Sequence, residues 1–373
     1  MATKKILFLH QGTFWNRGSE KVLLCLLDKL DRKYFSPLLV CNHKLLAAEA
    51  EKHGIKTLLI DWPEIMIEKG HIRLQFIGVL KTIIWLKKLI KRESIEVLVC
   101  NSGITTQTGY YAAKLTNTSC ISYIHSPFTK RYIYLYRLHK TNLSIFVSDA
   151  IKTAMCNKVT FNNTTVIHNG IDIELFKPVE TRIRNVIKGL RIDDKKPVIG
   201  QIGSLIHRKG IDLLIKAANT LVKKEVAFHI VLVGSGPEGN KFKTMVASYN
   251  LEDYFTFAGD TDSPDLFYKH IFDINVLASR SEAFGLTLAE GSSSGLPCVG
   301  SNTEGIPEVI RNTKTGLLFE AGNANDLADK LEILINSPEL RTEMGKKGRD
   351  FVVENLSLEK QAREFNNTLL SLS

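Results

Sequence analysis

An α/β chain built as two Rossmann-like halves is predicted by three features of the sequence. Its 373 residues are many for one hydrophobic core and suit two domains. Short apolar runs alternate with helical patterns, first from Ile6 to Val147 and again from Val198 to Phe319. That alternation builds parallel sheets covered on both faces. Between the two series, residues 179–196 are polar and basic and read as a linker and hinge. The domains are therefore set at 1–178 and 179–357.

In the first half, Ile6–Leu9, Leu38–Cys41, Thr57–Ile60, Val97–Cys100, Cys120–Ile124 and Leu143–Val147 read as buried strands, with helical stretches between them. A loop, His10–Asn16, leads from the first strand to a helix starting near Gly18-Ser19-Glu20, whose Val22, Leu23, Leu26, Leu27 and Leu30 keep helical spacing. Gly12 and Gly18 do not form G-x-G-x-x-G, which argues against a nicotinamide or flavin enzyme. Ligands of parallel sheets gather at the carboxyl ends of strands. His125 falls at such an end, and His10 at another. Asn169-Gly170 supplies a tight turn near the end of this half.

The second half opens with Val198–Ile202, followed by Gly203-Ser204-Leu205-Ile206-His207-Arg208-Lys209-Gly210 and a helix carrying Leu213, Leu214, Ala217 and Ala218. His229–Val233 runs into Gly234-Ser235-Gly236-Pro237-Glu238, another strand, glycine turn and helix. Ile274–Ala278 feeds Ser279-Arg280-Ser281-Glu282-Ala283-Phe284-Gly285-Leu286, beyond which the pattern turns helical through Glu290. The amides of Phe284, Gly285 and Leu286 should lie at that helix start, where N–H groups and the helix dipole favour an anion. Glu282, on the turn, can meet a sugar beside the phosphate site, and Glu290 can accept hydroxyl hydrogen bonds. Asp260-Thr261-Asp262 invites a metal reading, but it precedes Ser263-Pro264-Asp265 and is explained by helix capping. Helices from about Asn325, Ser337 and Leu358 close the chain.

Composition narrows the partners. Hydrophobic residues make up 44% and charged residues 24%, as in soluble globular proteins. A net charge of +10 favours acidic partners: nucleotide diphosphates, an anionic membrane surface or nucleic acid. Nucleic acid is set aside, since no arginine-rich run, zinc-finger spacing or aromatic RNA-binding signature occurs. The six cysteines form no C-x-x-C pair and read as free thiols of a reducing compartment. The residues before Ile6 are too few for a secretory signal. No uncharged apolar run approaches the ~20 residues that span a bilayer. A cytoplasmic protein, peripheral on the cytosolic membrane face, is expected.

Taken together, Glu282, Glu290, Gly295-Leu296-Pro297, Gly305-Ile306-Pro307-Glu308, Gly234-Ser235-Gly236-Pro237-Glu238 and Asn169-Gly170-Ile171-Asp172 resemble the retaining glycosyltransferases of family four, which have a GT-B fold. The resemblance implies parallel sheets facing across a cleft, with the donor bound mainly by the second domain and the last helix, 358–373, packed back on the first. Lys209 matches a lysine that meets the donor diphosphate. Ser204 stands where the family has an arginine, and Arg208 is its candidate replacement. Arg17-Gly18-Ser19-Glu20 resembles a Gly-Gly-x-Glu turn; Arg17 replaces the first glycine, so only Gly18 carries over as a diphosphate contact. Gly234 lies near the nucleotide, Glu290 on the ribose, Glu282 and the amides of Phe284–Leu286 at the sugar and phosphate. His125 lies beside the donor sugar and the acceptor. The implied reaction is retaining hexosyl transfer from a nucleotide-diphosphate sugar, a UDP-sugar ahead of a GDP-sugar. The acceptor is a glycan or lipid-linked saccharide of cell-surface polysaccharide synthesis, and no metal or other cofactor takes part. The competing reading, motivated by Ser204 and Arg17, is a catalytically silent nucleotide-sugar-binding or scaffolding protein.

One helical stretch, Leu74–Arg92, bears on location. Phe76, Val79, Ile83, Leu86 and Ile90 are its expected core face. Lys81, Trp85, Lys88 and Arg92 form a second face suited to anionic lipid. Arg131, Tyr132, Tyr134, Tyr136 and Arg137 add a second basic and aromatic cluster.

Overall fold

A computed structural model describes residues 3–12, 18–63, 65–68, 71–187, 189, 190, 192 and 195–372. Arg17 and most of the 10–16 loop therefore lie outside the described residues. Contacts divide the chain into unit 1, Met1–Gly170 with Leu358–Ser373, and unit 2, Ile171–Ser357.

Unit 1 contains β1 (Lys4–His10), β2 (Phe35–Cys41), β3 (Lys56–Leu59), β4 (Ile65–Glu68), β5 (His71–Leu74), β6 (Val97–Cys100), β7 (Ser119–Ile124), β8 (Leu143–Phe146) and β9 (Thr164–Val166). Seven of these form one parallel sheet in the order β3-β2-β1-β6-β7-β8-β9. Its central strands are covered on both faces: Ile6, Leu7, Phe8 and Leu9 have no exposed surface. That is why they read as a continuous apolar run rather than an alternating one. β4 and β5 form a separate antiparallel hairpin that the sequence pattern did not reveal.

The helix Leu358–Ser371 belongs to this unit and packs on the sheet. The Phe365 ring lies 6.2 Å from that of Phe8 and 6.1 Å from that of Tyr123. Gln361 donates to the Tyr123 hydroxyl at 3.1 Å and accepts from the Gly170 amide at 2.9 Å.

Unit 2 contains β10 (Val198–Ile202), β11 (His229–Val233), β12 (Phe255–Gly259), β13 (Ile274–Leu277), β14 (Cys298–Ser301) and β15 (Gly316–Phe319). They form a parallel sheet ordered β12-β11-β10-β13-β14-β15. The segment 171–178, placed with the first domain from the sequence, packs with unit 2. The Ile171 amide donates to the Leu356 carbonyl at 2.8 Å, and Arg349 donates to the carbonyls of Ile173 (2.8 Å) and Ser293 (2.7 Å).

In both sheets the chain runs outward to one side from a central strand and then crosses to the other. These reversals fall between β1 and β6 in unit 1 and between β10 and β13 in unit 2. The carboxyl ends of the strands flanking such a reversal leave a crevice where ligands of open α/β sheets bind.

The surface helix of unit 1 spans Phe76–Glu93. Val79, Leu86, Leu89 and Ile90 are its buried residues, with Ile83 packed beside them. Phe76, expected in the core, is exposed because it opens the first turn, beyond the reach of the sheet. Tyr136 and Arg137, expected on an outer face, turn inward. Tyr136 is buried against the Tyr132 and Phe128 rings, and Arg137 donates to the Tyr111 hydroxyl at 2.8 Å. All six cysteines are free thiols.

Candidate functional site

In unit 2 the loops after β10 and β13 converge at the reversal. The turn His207–Lys209 ends on Gly210, whose φ of +67° and whose Cα, set against the Ala278 carbonyl, leave no room for a side chain. Gln201 of β10 donates to the Lys209 carbonyl at 2.9 Å, and the Arg280 amide to the Arg208 carbonyl at 2.8 Å. These bonds fix where Lys209 points. Its ammonium meets the Glu282 carboxylate at 2.5 Å, and both side chains are mostly buried. Arg208 donates to the Ser281 carbonyl at 2.8 Å and approaches the same Glu282 oxygen at 3.5 Å. Ser204 is exposed. Two cations thus converge on one carboxylate, and the second is Arg208.

The turn bearing Glu282 is held from behind by Glu304, which accepts from the Glu282 amide at 2.7 Å and from the Ser281 hydroxyl at 2.9 Å. Arg280 forms a two-pronged pair with Asp212, at 2.8 and 2.7 Å, that ties the same turn to the helix Ile211–Lys223. Burial raises the Asp212 carboxyl, but the Arg280 bonds and charge outweigh it and hold the group below its usual range. Gly285, at φ +103°, is the cap residue of the helix Leu286–Ser293 and, as a glycine, brings no side chain to that start. The first N–H groups of a helix have no intrahelical acceptor. They lie next to Phe284, which is buried. Glu290, on this helix, accepts from the Tyr268 hydroxyl at 3.0 Å. Burial, then the Glu290 charge, push that phenol well above its usual value, so it stays a donor.

Gly234 follows β11 and donates to the Gly259 carbonyl at 2.7 Å. Asp260 accepts from the Ser235 hydroxyl at 2.6 Å, and Ser263 bonds Thr261. The expected capping by Asp260 or Asp262 is not formed among the described residues: Asp260 is taken by Ser235, and the cap residue Ser263 makes no side-chain bond to the turn Pro264–Leu266. Among the described residues, neither aspartate belongs to a group of three or more metal-ligand atoms within 4.8 Å of one another.

In unit 1, three adjacent strand ends carry a second polar cluster: His10 ends β1, Asn101 follows β6 and His125 follows β7. His10 Nε2 lies 3.2 Å from Glu20 Oε1, its Nδ1 3.0 Å from Asn101 Nδ2, and Asn101 Oδ1 2.8 Å from His125 Nε2. His10, Glu20 and Asn101 are buried; the His125 ring is partly accessible and packs 4.6 Å from Tyr123. Burial, and then the His10 ring, push His125 down to about 3, so it is neutral at ordinary pH. Burial would raise the Glu20 carboxyl, but the hydrogen bonds from His10 and from the Ser19 hydroxyl outweigh it and bring the group to about 2. Gly18 is the first residue of the helix Gly18–Asp28 that presents Glu20.

Sequence reasoning singled out His125, Lys209 and Glu282 but not their supports: Asn101, Glu304, Asp212 and Gln201. Asn101 stands directly after a strand end, the signal that picked out His125, and was findable on that ground.

Comparison with known proteins gives two family matches. Residues 183–351 match the model "Glycosyl transferases group 1", and residues 16–175 match "Glycosyltransferase Family 4". The chain belongs to the family-four, group 1 glycosyltransferases. It is 31% identical over 200 residues to an N-acetyl-alpha-D-glucosaminyl L-malate synthase of Bacillus anthracis, covering 53% of this chain and 51% of that protein. It is 28% identical over 299 residues to a poly(ribitol-phosphate) alpha-N-acetylglucosaminyltransferase of Staphylococcus aureus, covering 76% of this chain and 58% of the other. The chain thus spans only about half the length of these curated relatives. In structure it superposes on Anabaena Alr3699/HepE, solved in complex with UDP and glucose. The TM-score is 0.83 at 20% identity over 99% of this chain and 100% of the other. The likeness identifies the fold as GT-B.

Proposed function

We propose that this chain is an enzyme that moves a hexose from a nucleotide-diphosphate sugar to a glycan or lipid-linked saccharide, with retention at the anomeric carbon. The observation that carries the reading is the convergence of Lys209 and Arg208 on Glu282 beside the helix start at Gly285, at the sheet reversal of unit 2. Cations and helix N–H groups aimed at one place stabilise charge that develops on a leaving diphosphate. In this reading Lys209 and Arg208 hold the diphosphate and Glu290 the ribose. Gly234 and the 284–286 amides line the nucleotide and phosphate, Glu282 faces the sugar, and Gly18 and His125 contribute from unit 1. That Anabaena HepE was solved with UDP supports a UDP-sugar donor. With this cationic set, the leaving diphosphate needs no divalent metal.

The test is release of nucleoside diphosphate from UDP-, GDP- and ADP-sugars by exhaustively chelated protein. Turnover of one donor is expected without added metal. Binding without turnover would favour the catalytically silent alternative, and activity restored only by Mn²⁺ or Mg²⁺ would overturn the metal-free reading.

The acceptor side of the proposal places unit 1 on an anionic membrane surface. No described helix is long and apolar enough to cross a membrane. On the helix Phe76–Glu93, Ile77 (72% exposed), Leu80, Ile84 and Trp85 form an open apolar stripe beside exposed Lys81, Lys88 and Arg92. Apolar groups at headgroup depth flanked by cations, each adding about 1 kcal/mol, suit such a surface. Co-sedimentation with phosphatidylglycerol vesicles at low salt is expected, with loss at high salt and in the Lys81, Lys88 and Arg92 triple-alanine variant. Binding unchanged in that variant would remove this helix as the contact.

A further inference from the structure

Glu20, His10 and Asn101 are buried and are linked to His125 by successive side-chain contacts. We propose that they form a directional relay that fixes His125 as its Nε2–H tautomer and leaves Nδ1 as a hydrogen-bond acceptor for a sugar hydroxyl. The three are positioning residues; the proposal rests on the reading that His125 faces the sugars.

The direction follows from two contacts of His10 taken together. An ionised carboxylate only accepts hydrogen bonds, so the bond between His10 Nε2 and Glu20 Oε1 takes its proton from His10. The other His10 nitrogen faces Asn101 Nδ2, which only donates, so His10 Nδ1 is a bare acceptor. The amide then has its carbonyl oxygen left for the other side, where it faces His125 Nε2 at 2.8 Å. An oxygen acceptor there requires a proton on Nε2. A neutral imidazole carries one proton, so Nδ1 is bare. Each strand end contributes one link: β1 supplies His10, β6 Asn101 and β7 His125. The helix Gly18–Asp28 supplies the anchoring carboxylate. The parallel register sets Leu9 beside Cys100, and Cys100 beside Ser122, so His10 and Asn101 leave their strands side by side and His125 follows two residues beyond that level on β7.

The arrangement has a second, reversed state. A His10 protonated on both nitrogens would present N–H to Asn101. The amide would have to turn over, its NH₂ would face His125, and the His125 proton would move to Nδ1. The relay therefore makes the hydrogen-bonding sense of His125 depend on whether His10, two links away, carries one proton or two.

The test is long-range ¹H–¹⁵N correlation on ¹⁵N-histidine-labelled protein, with His125 assigned by its loss in His125→Gln. In the wild type a proton on Nε2 and a bare Nδ1 are expected; a proton on Nδ1 overturns the relay without any variant having to fold. Glu20→Gln replaces a pure acceptor by a group that both donates and accepts, so mixed tautomers at His125 are expected. Asn101→Leu cuts the line and should do the same. An unchanged His125 signature in both folded variants overturns the relay. Turnover, measured on the sugar nucleotide that the donor panel selects, should fall about tenfold in Asn101→Leu, the scale of losing a supporting hydrogen bond behind a functional imidazole. Scrambled tautomers with undiminished turnover would overturn the positioning role. Undiminished turnover in His125→Gln would instead remove the sugar-contact reading of His125, with the relay then decided by the spectra alone.

Discussion

Lys209→Ala is expected to lower kcat by about 10²–10³ while moving the melting temperature only a few degrees. The ammonium is preorganised. Its backbone carbonyl is clamped by Gln201, and Gly210, pressed against the Ala278 carbonyl, prevents the turn from shifting. Nothing then has to reorganise when charge develops on a leaving diphosphate, and that gives such a cation most of its effect. The stability cost is limited because Glu282 keeps a hydrogen bond from Ser279 at 3.3 Å and Arg208 at 3.5 Å. Arg208→Ala should cost less than Lys209→Ala. Its side chain is 48% exposed, its short bond is to the Ser281 carbonyl, and it stands 3.5 Å from Glu282 where Lys209 stands at 2.5 Å. Near-normal turnover in Lys209→Ala would remove this residue from the diphosphate.

The second large effect separates two carboxylates. Glu290→Ala should weaken binding of the bare nucleoside diphosphate by about 10- to 100-fold, the loss expected for hydrogen bonds to a charged group. It also leaves the Tyr268 hydroxyl, buried beneath it, without that acceptor. Glu282→Ala should act in the opposite sense on binding. In the free protein Glu282 occupies the Lys209 ammonium at 2.5 Å, so its removal releases a cation for the diphosphate. Affinity for the bare nucleotide should hold or rise while transfer slows. Calorimetry on both variants with UDP decides, and an equal loss of affinity in the two would refute the division.

What the sequence could reveal follows from the range of the interactions involved. The central strands of both sheets were legible because burial on two faces leaves continuous apolar runs, as in Ile6–Leu9 and Ile274–Ala278, whereas the half-buried edge strand Thr164–Val166 was not. The turn glycines and the pairing of Lys209 with a strand-end loop were legible because they are local in sequence. The supports were not. Asn101 and His10 are 91 residues apart, and Asp212 and Arg280 are 68 apart. Only the parallel register brings such pairs together. Phe76 was misplaced because a strict helical spacing says which residues share a face but not where the sheet beneath the helix ends. The capping expected of Asp260 failed for a similar reason, since Ser235, 25 residues away, supplies a competing hydroxyl.

The proposed reaction is sugar transfer from a nucleotide-diphosphate donor with retention, driven by the cations of unit 2 and without a metal. Time-resolved proton NMR of the reaction on the selected donor, with chelator present, tests it most directly. Nucleoside diphosphate and product should appear together, and the first-formed product should carry the anomeric configuration of the donor. A first-formed product of inverted configuration, or no nucleoside diphosphate from any donor offered, would contradict it.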